Sequence, residues 1–163
     1  MKVVGPVHKS DVGGVVLNVK NEDQLTSEFN RMMQIPETTA ILMQPMLSGI
    51  ELFAGAKREE KFGHMVLCGM GGIFIEVLKD INTRLVPVSG KEAIEMISGL
   101  KSQAILQGVR GQDGIKIEQF ADVIVRLSAL VEAAPEIFEM DLNPLLGNKN
   151  QVVAVDARIN IVK

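Results

Sequence analysis

Apolar positions change their period several times along the chain, and each change marks an element. Met1 to Val4 and Val15 to Val19 are short apolar runs of strand character. From Asn21 the period becomes helical. Leu25, Phe29, Met32 and Met33 make one stripe, Asn21 is placed to cap it, and Pro36 ends it. Ala40 to Met43 predicts a buried strand leading into Gln44-Pro45-Met46, and Gly49 turns the chain into a further strand, Ile50 to Ala56. A charged tip, Lys57 to Lys61, separates it from a strand at Met65 to Leu67. Gly69, Gly71 and Gly72 form a glycine-rich loop ahead of a strand at Ile73 to Leu78, and Asp80 to Val88 is again extended. Ser89 caps a helix from Lys91 to Ile97 that Gly99 closes. The longest helix runs from Ile117 to Ala133, with Phe120, Ile124, Leu127 and Val131 on one face and Pro135 past its end. Strands dominate the middle and helices are interspersed, so an α+β or α/β fold with a mixed sheet is expected.

The last stretch carries the most chemistry. Asp141 and Asn143 stand two apart in an extended segment, which turns their side chains to one face. Gly147-Asn148-Lys149-Asn150 reads as a turn and Val152 to Val155 as the returning strand. If Gly147 pairs with Val152, Asn143 falls opposite Asp156 and three oxygen donors share one hairpin face. A hard cation such as Mg²⁺ uses such donors, usually together with substrate phosphates. A solvated hairpin with ordinary polar residues fits the same pattern.

The N-terminal counterpart is His8-Lys9-Ser10-Asp11-Val12-Gly13-Gly14. Paired glycines let consecutive N–H groups turn toward a phosphate, and Lys2 and Lys9 bring positive charge to either side. A tight hairpin that needs Gly13-Gly14 for its turn is the plainer alternative. Gln44, Pro45 and Met46, with Met43, form a linker able to grip an adenine through its backbone, and Glu51 follows across the bend; a plain interstrand turn with Glu51 merely solvated is the reading the sequence alone favours. His8 and His64 are too far apart in sequence for a histidine zinc site. His8 could be a plain loop residue, a phosphate contact or a phosphoryl-carrying nucleophile. His64 reads as structural, and Cys68 as a buried inert thiol. Arg84 and Arg110 are exposed cations that could equally hold an anion.

Composition narrows the partners. Six Phe are the only aromatics among 163 residues, and the net charge is −3 with no Lys/Arg run. Nucleic acid is thereby disfavoured, since neither a basic footprint nor stacking platforms are present. One cysteine rules out an internal disulfide and points to the cytoplasm. No apolar run is long enough to span a membrane. The chain opens inside a strand, which reads as a piece of a larger protein.

Taken in order, Lys2, His8 to Val15, Gln44-Pro45-Met46 with Glu51, Gly69 to Gly72 with Glu76 and Asp80, Arg110-Gly111, Asp141-Leu142-Asn143-Pro144-Leu145 and Val155-Asp156-Ala157-Arg158 resemble one family. The pattern is similar to the ATP-grasp (β) part of NDP-forming acyl-CoA synthetases, the acetate–CoA ligases (ADP-forming), relatives of the succinyl-CoA synthetase β chain. The resemblance implies an ATP-grasp fold with a mixed, largely antiparallel sheet and flanking helices. Residues 1–163 would be mostly its C-terminal lobe, with a boundary near 36–40 and without the start of the N-terminal lobe. It further implies that His8 accepts a phosphoryl group and passes it to ADP. Lys2, Lys9, Gly13, Gly14, Gln44, Pro45, Met46 and Glu51 would bind ATP/ADP, and Asp141, Asn143 and Asp156 would bind Mg²⁺. The implied partner is an α-type CoA-binding domain or subunit, in an oligomer when full length, and the stretch between Lys2 and His8 is shorter than the family loop. A non-catalytic module of a protein acetyltransferase or another CoA-related regulatory protein is the alternative.

Overall fold

The computed structural model describes residues 1–6, 9–72, 79–109 and 111–162, in two compact units, Met1–Leu47 and Ser48–Lys163. The strand Ala40–Leu42 pairs with the N-terminal strand and so belongs to the first unit.

In the first unit, β1 (Lys2–Val4) and β2 (Ala40–Leu42) form an antiparallel pair with Lys2 opposite Leu42. Helix α1 (Glu22–Met32) begins where expected: the Asn21 side chain accepts from Gln24 N at 2.8 Å, and Glu22 and Asp23 favour the positive end of the helix dipole. Of its apolar stripe only Met32 is fully buried, while Phe29 and Met33 are exposed. Two expectations are corrected. Residues 15–19 do not form a strand; Val15 makes a single bridge to Lys2, and Asn18 takes a positive φ of 55° that interrupts extension. Nor is β2 buried, since Leu42 is 45% exposed.

The second unit is a six-stranded antiparallel sheet covered on one face by helices. Its order is β5-β4-β3-β6-β7, with β8 also paired to β6. β3 (Ile50–Glu59) and β4 (Gly63–Met70) pair from Leu52 opposite Met70 to Glu59 opposite Gly63, so the charged tip of the sequence belongs partly to the strands. Gly63 closes the turn with φ +79°, a value open to glycine. β5 (Ile81–Leu85) extends the sheet beyond β4, and β6 (Ile137–Gly147) lies beside β3 on the other side. β7 (Val152–Ala154) returns along β6, followed by β8 (Arg158–Ile161), a strand the sequence pattern did not suggest.

Alternation along the strands sorts the two faces. Leu52, Ala54 and Ala56 of β3 and Val66, Cys68 and Met70 of β4 enter the core. Onto it pack α2 (Gly90–Ser98), the short α3 (Gln103–Gln107) and α4 (Ile117–Ala133), whose Phe120, Ile124, Leu127 and Val131 are all buried as the spacing predicts. Ser89 and Glu92 close a reciprocal capping box on α2. Helix α3 lay outside the sequence reading. Its start is held by Asp80, which accepts the N–H groups of Lys101 and Ser102 at 2.8 and 2.7 Å. The expected strand at Ile73–Leu78 lies outside the described residues.

Candidate functional site on the second face of the sheet

The helices of the second unit lie on the core face, and the other face gathers the chemistry. The ladders align Thr83, Leu67, Gly55, Asp141 and Arg158 in one row across five strands. Alternation places this row, with Glu51 and Phe53, on the face away from the core.

Beside this row β6 departs from regular pairing. Leu52 opposes Leu145 but Ala54 opposes Leu142, so Asn143 and Pro144 stand against Phe53 alone. This is a β-bulge, two residues against one, a device that re-aims side chains. Leu142 and Leu145 both remain in the core, at 8% and 1% exposure. The extra residue is therefore pushed outward, and Asn143 shares the outer face with Asp141. The hairpin register follows the sequence reading: Gly147 opposes Val152, Leu145 opposes Ala154, and Val155 N donates to Pro144 O at 3.0 Å. Asp156 is the next residue, and its charge acts on Asp141.

Asp141 sits uneasily among these groups. Burial, first of all, pushes its carboxyl above the usual carboxylate range; Arg158 draws it back, and the Glu139 and Asp156 charges push it up again. Its Oδ1 is buried and accepts no hydrogen bond. An orphaned carboxylate oxygen beside a second carboxylate fits a hard cation, which would supply both the missing partner and the missing charge. Among the described residues no three His, Cys, Asp or Glu side chains cluster for a metal. A cation here would need the Asn143 amide oxygen as a third donor, with remaining positions left to water or phosphate.

The second glycine loop meets the start of β3. Gly71 N donates to Glu51 O at 2.8 Å, and Gly72 has φ +60°. A Cβ at Gly72 would collide with the Glu51 carboxylate, so a glycine there leaves room for that side chain. Glu51 is exposed, as a ligand-contacting group needs to be.

In the first unit, Lys2 lies on β1 and the Lys9–Gly14 loop folds back beside it, Val3 N donating to Gly14 O at 2.9 Å. Gly13 N donates to Ser10 O at 3.1 Å and Gly14 N to Lys9 O at 2.7 Å. Both amides expected to face a phosphate are thus spent inside the loop, whose glycines serve the turn: Gly13 has φ +67°, and a Cβ at Gly14 would strike Val3. Gln44, Pro45 and Met46 lie in an irregular segment, Met46 being 53% exposed. His8, Glu76 and Arg110 lie outside the described residues. Arg84 is occupied by Glu92 and Glu95 at 3.3 and 3.4 Å. His64 is buried with Nε2 2.7 Å from Ile137 O, which agrees with a structural role. Sequence reasoning gave Arg158 no role; the available signal was its place two residues after Asp156.

Residues 1–161 match the profile of the ATP-grasp domain family. The acetate–CoA ligase (ADP-forming) I subunit beta of Pyrococcus furiosus is 39% identical over 169 residues, covering 98% of this chain and 73% of that protein. The acetate–CoA ligase (ADP-forming) II of Archaeoglobus fulgidus is 43% identical over 98% of this chain, which spans only 24% of its length. Among solved structures, the dinucleotide-forming acetyl-coenzyme A synthetase 1 of Ca. Korarchaeum cryptofilum, in complex with coenzyme A and Mg-AMPPCP and with its phosphohistidine segment pointing towards the nucleotide-binding site, superposes with a TM-score of 0.86. It is 34% identical, over 99% of this chain and 75% of that one.

Proposed function

This chain belongs to the ATP-grasp family, and on that premise we propose that it is the nucleotide-binding, phosphoryl-transfer module of an ADP-forming acyl-CoA synthetase. The net reaction is acyl-CoA + ADP + phosphate giving acid + CoA + ATP. The observation that carries the reading is the bulged hairpin, where Asp141 with its unsatisfied Oδ1 and Asn143 share the sheet face away from the core and the Asp156 charge acts on Asp141.

Mg²⁺ bound there would neutralise developing charge on the phosphoryl oxygens. The chain's own residues bind and orient. Asp141, Asn143 and Asp156 hold the cation, and Glu51, kept clear by Gly72, takes the ribose hydroxyls. Gln44, Pro45 and Met46 receive the adenine, and Lys2 and Lys9 receive phosphate oxygens, while the Gly13-Gly14 turn shapes the loop that carries Lys9. His8 takes a phosphoryl group on a ring nitrogen; that P–N bond then breaks as the β-phosphate oxygen of ADP forms the new P–O bond. The phosphoryl group reaches His8 from a CoA-binding α-type domain or subunit, in keeping with relatives that are beta subunits.

Calorimetric titration with Mg·ADP tests the site. The chain should bind, and Asn143→Ala combined with Asp156→Ala should abolish binding; undiminished binding by the double variant would refute the metal assignment. In parallel, radiolabelled ATP should leave an acid-labile label on the chain that His8→Asn removes.

A further inference from the structure

We propose that Arg158 is a specificity-determining residue of this site: it disfavours a bare divalent cation and favours one that arrives carrying phosphate. The inference rests on the reading that Asp141, Asn143 and Asp156 hold Mg²⁺. Arg158 opens β8 directly opposite Asp141 in the β6–β8 ladder. Residues opposed in an antiparallel ladder project from the same face at close range. Asp156 precedes Arg158 by two residues, and of the charges acting on Asp141 among the described residues, Glu139 and Asp156 are negative and Arg158 is positive. The guanidinium belongs to an exposed residue on a strand exposed along its length, so it can turn toward a ligand without unpacking the core.

The electrostatics then act in two directions. A dication approaching alone is attracted by the carboxylates but repelled by Arg158, which stays charged at any working pH. A metal nucleotide arrives with net negative charge and phosphate oxygens, for which a planar guanidinium fork is a matching donor. One fixed charge therefore lowers the affinity for bare metal and raises that for the metal–phosphate complex. A residue that only packs or only steadies the hairpin would move both affinities the same way.

Two titrations of the full chain separate these outcomes: Mn²⁺ alone, followed by the paramagnetic resonance of free Mn²⁺, and Mg·ADP by calorimetry. Arg158→Gln should bind Mn²⁺ more tightly and Mg·ADP more weakly, each by roughly three- to five-fold. Arg158→Lys, which keeps the charge, should leave Mn²⁺ affinity near that of the wild type and guards against a misfolded variant. Parallel losses in both titrations, or no change in either, would overturn the role of Arg158 while leaving the metal site standing, provided Asn143→Ala with Asp156→Ala abolishes Mn²⁺ binding. A wild-type chain that binds Mn²⁺ no better than this double variant would overturn the metal reading, and this role with it.

Discussion

At Asp141 the fold holds an ionisable group where burial and two neighbouring carboxylates oppose its charge, with Arg158 as partial compensation. On the proposed reading, this arrangement trades stability of the metal-free protein for affinity toward a cation. Asp141→Asn should therefore melt slightly higher than the wild type in EDTA, by less than about 1 kcal/mol given its partial exposure. In Mg·ADP the order should reverse, because only the wild type gains from the ligand. Paired thermal melts check both halves, and a variant less stable in EDTA would contradict the account.

Among the elements, the contrast between α4 and β8 explains what could be read in advance. Helix α4 spans Ile117–Ala133 as its apolar spacing predicts, because four buried side chains at helical intervals leave no competing pattern. The capped starts of α1 and α2 and the pairing of Gly147 with Val152 were legible for a related reason: caps and tight turns are settled by residues a few positions apart. β8 is four residues long and exposed throughout, so no alternation marks it, and its existence depends on β6. The bulge was hidden likewise, since the chain around Asn143 does not state that Phe53 will oppose two residues. The three proposed metal donors were visible as spacing; the outward shift that keeps Asp141 and Asn143 on one face, and the Arg158 guanidinium opposite Asp141, came from pairing partners far away in sequence.

Asp80 shows an element depending on one side chain. Its carboxylate is 5% exposed and accepts the two N–H groups that start α3. Burial alone would push its carboxyl up. The Ser102 hydroxyl, close by but outside hydrogen-bond geometry, the Lys101 and Ser102 N–H groups and the Lys101 charge outweigh burial and hold it below the usual value of 3.8. A depressed folded-state value means that this stabilisation is complete above pH 3.8 and is lost as pH falls through the folded value. Asp80→Ala should cost about 1–3 kcal/mol at pH 7 by stranding buried donors. In urea melts that deficit should narrow below pH 3.8; a deficit independent of pH would assign the loss to packing.

On the scale of the whole molecule, the second unit has its own core and the donor hairpin, while Lys2, the glycine turn and the Gln44–Met46 segment belong to the first. Each unit can be followed by itself because Cys68, the chain's one cysteine, sits in the core of the second unit at 0% exposure. Burial, helped by the Asp80 charge, pushes its thiol up to about 12, so almost no reactive thiolate exists at neutral pH. A maleimide should leave the folded protein unmodified and react only as the second unit opens; prompt labelling of the native chain would contradict this burial. Spectroscopic tags can consequently be attached to cysteines introduced at Leu17 and Phe62, exposed at 59% and 69% in the first and second units, without first removing the natural thiol. The mobility of each tag, recorded with and without Mg·ADP, would report separately on what the nucleotide does to each unit.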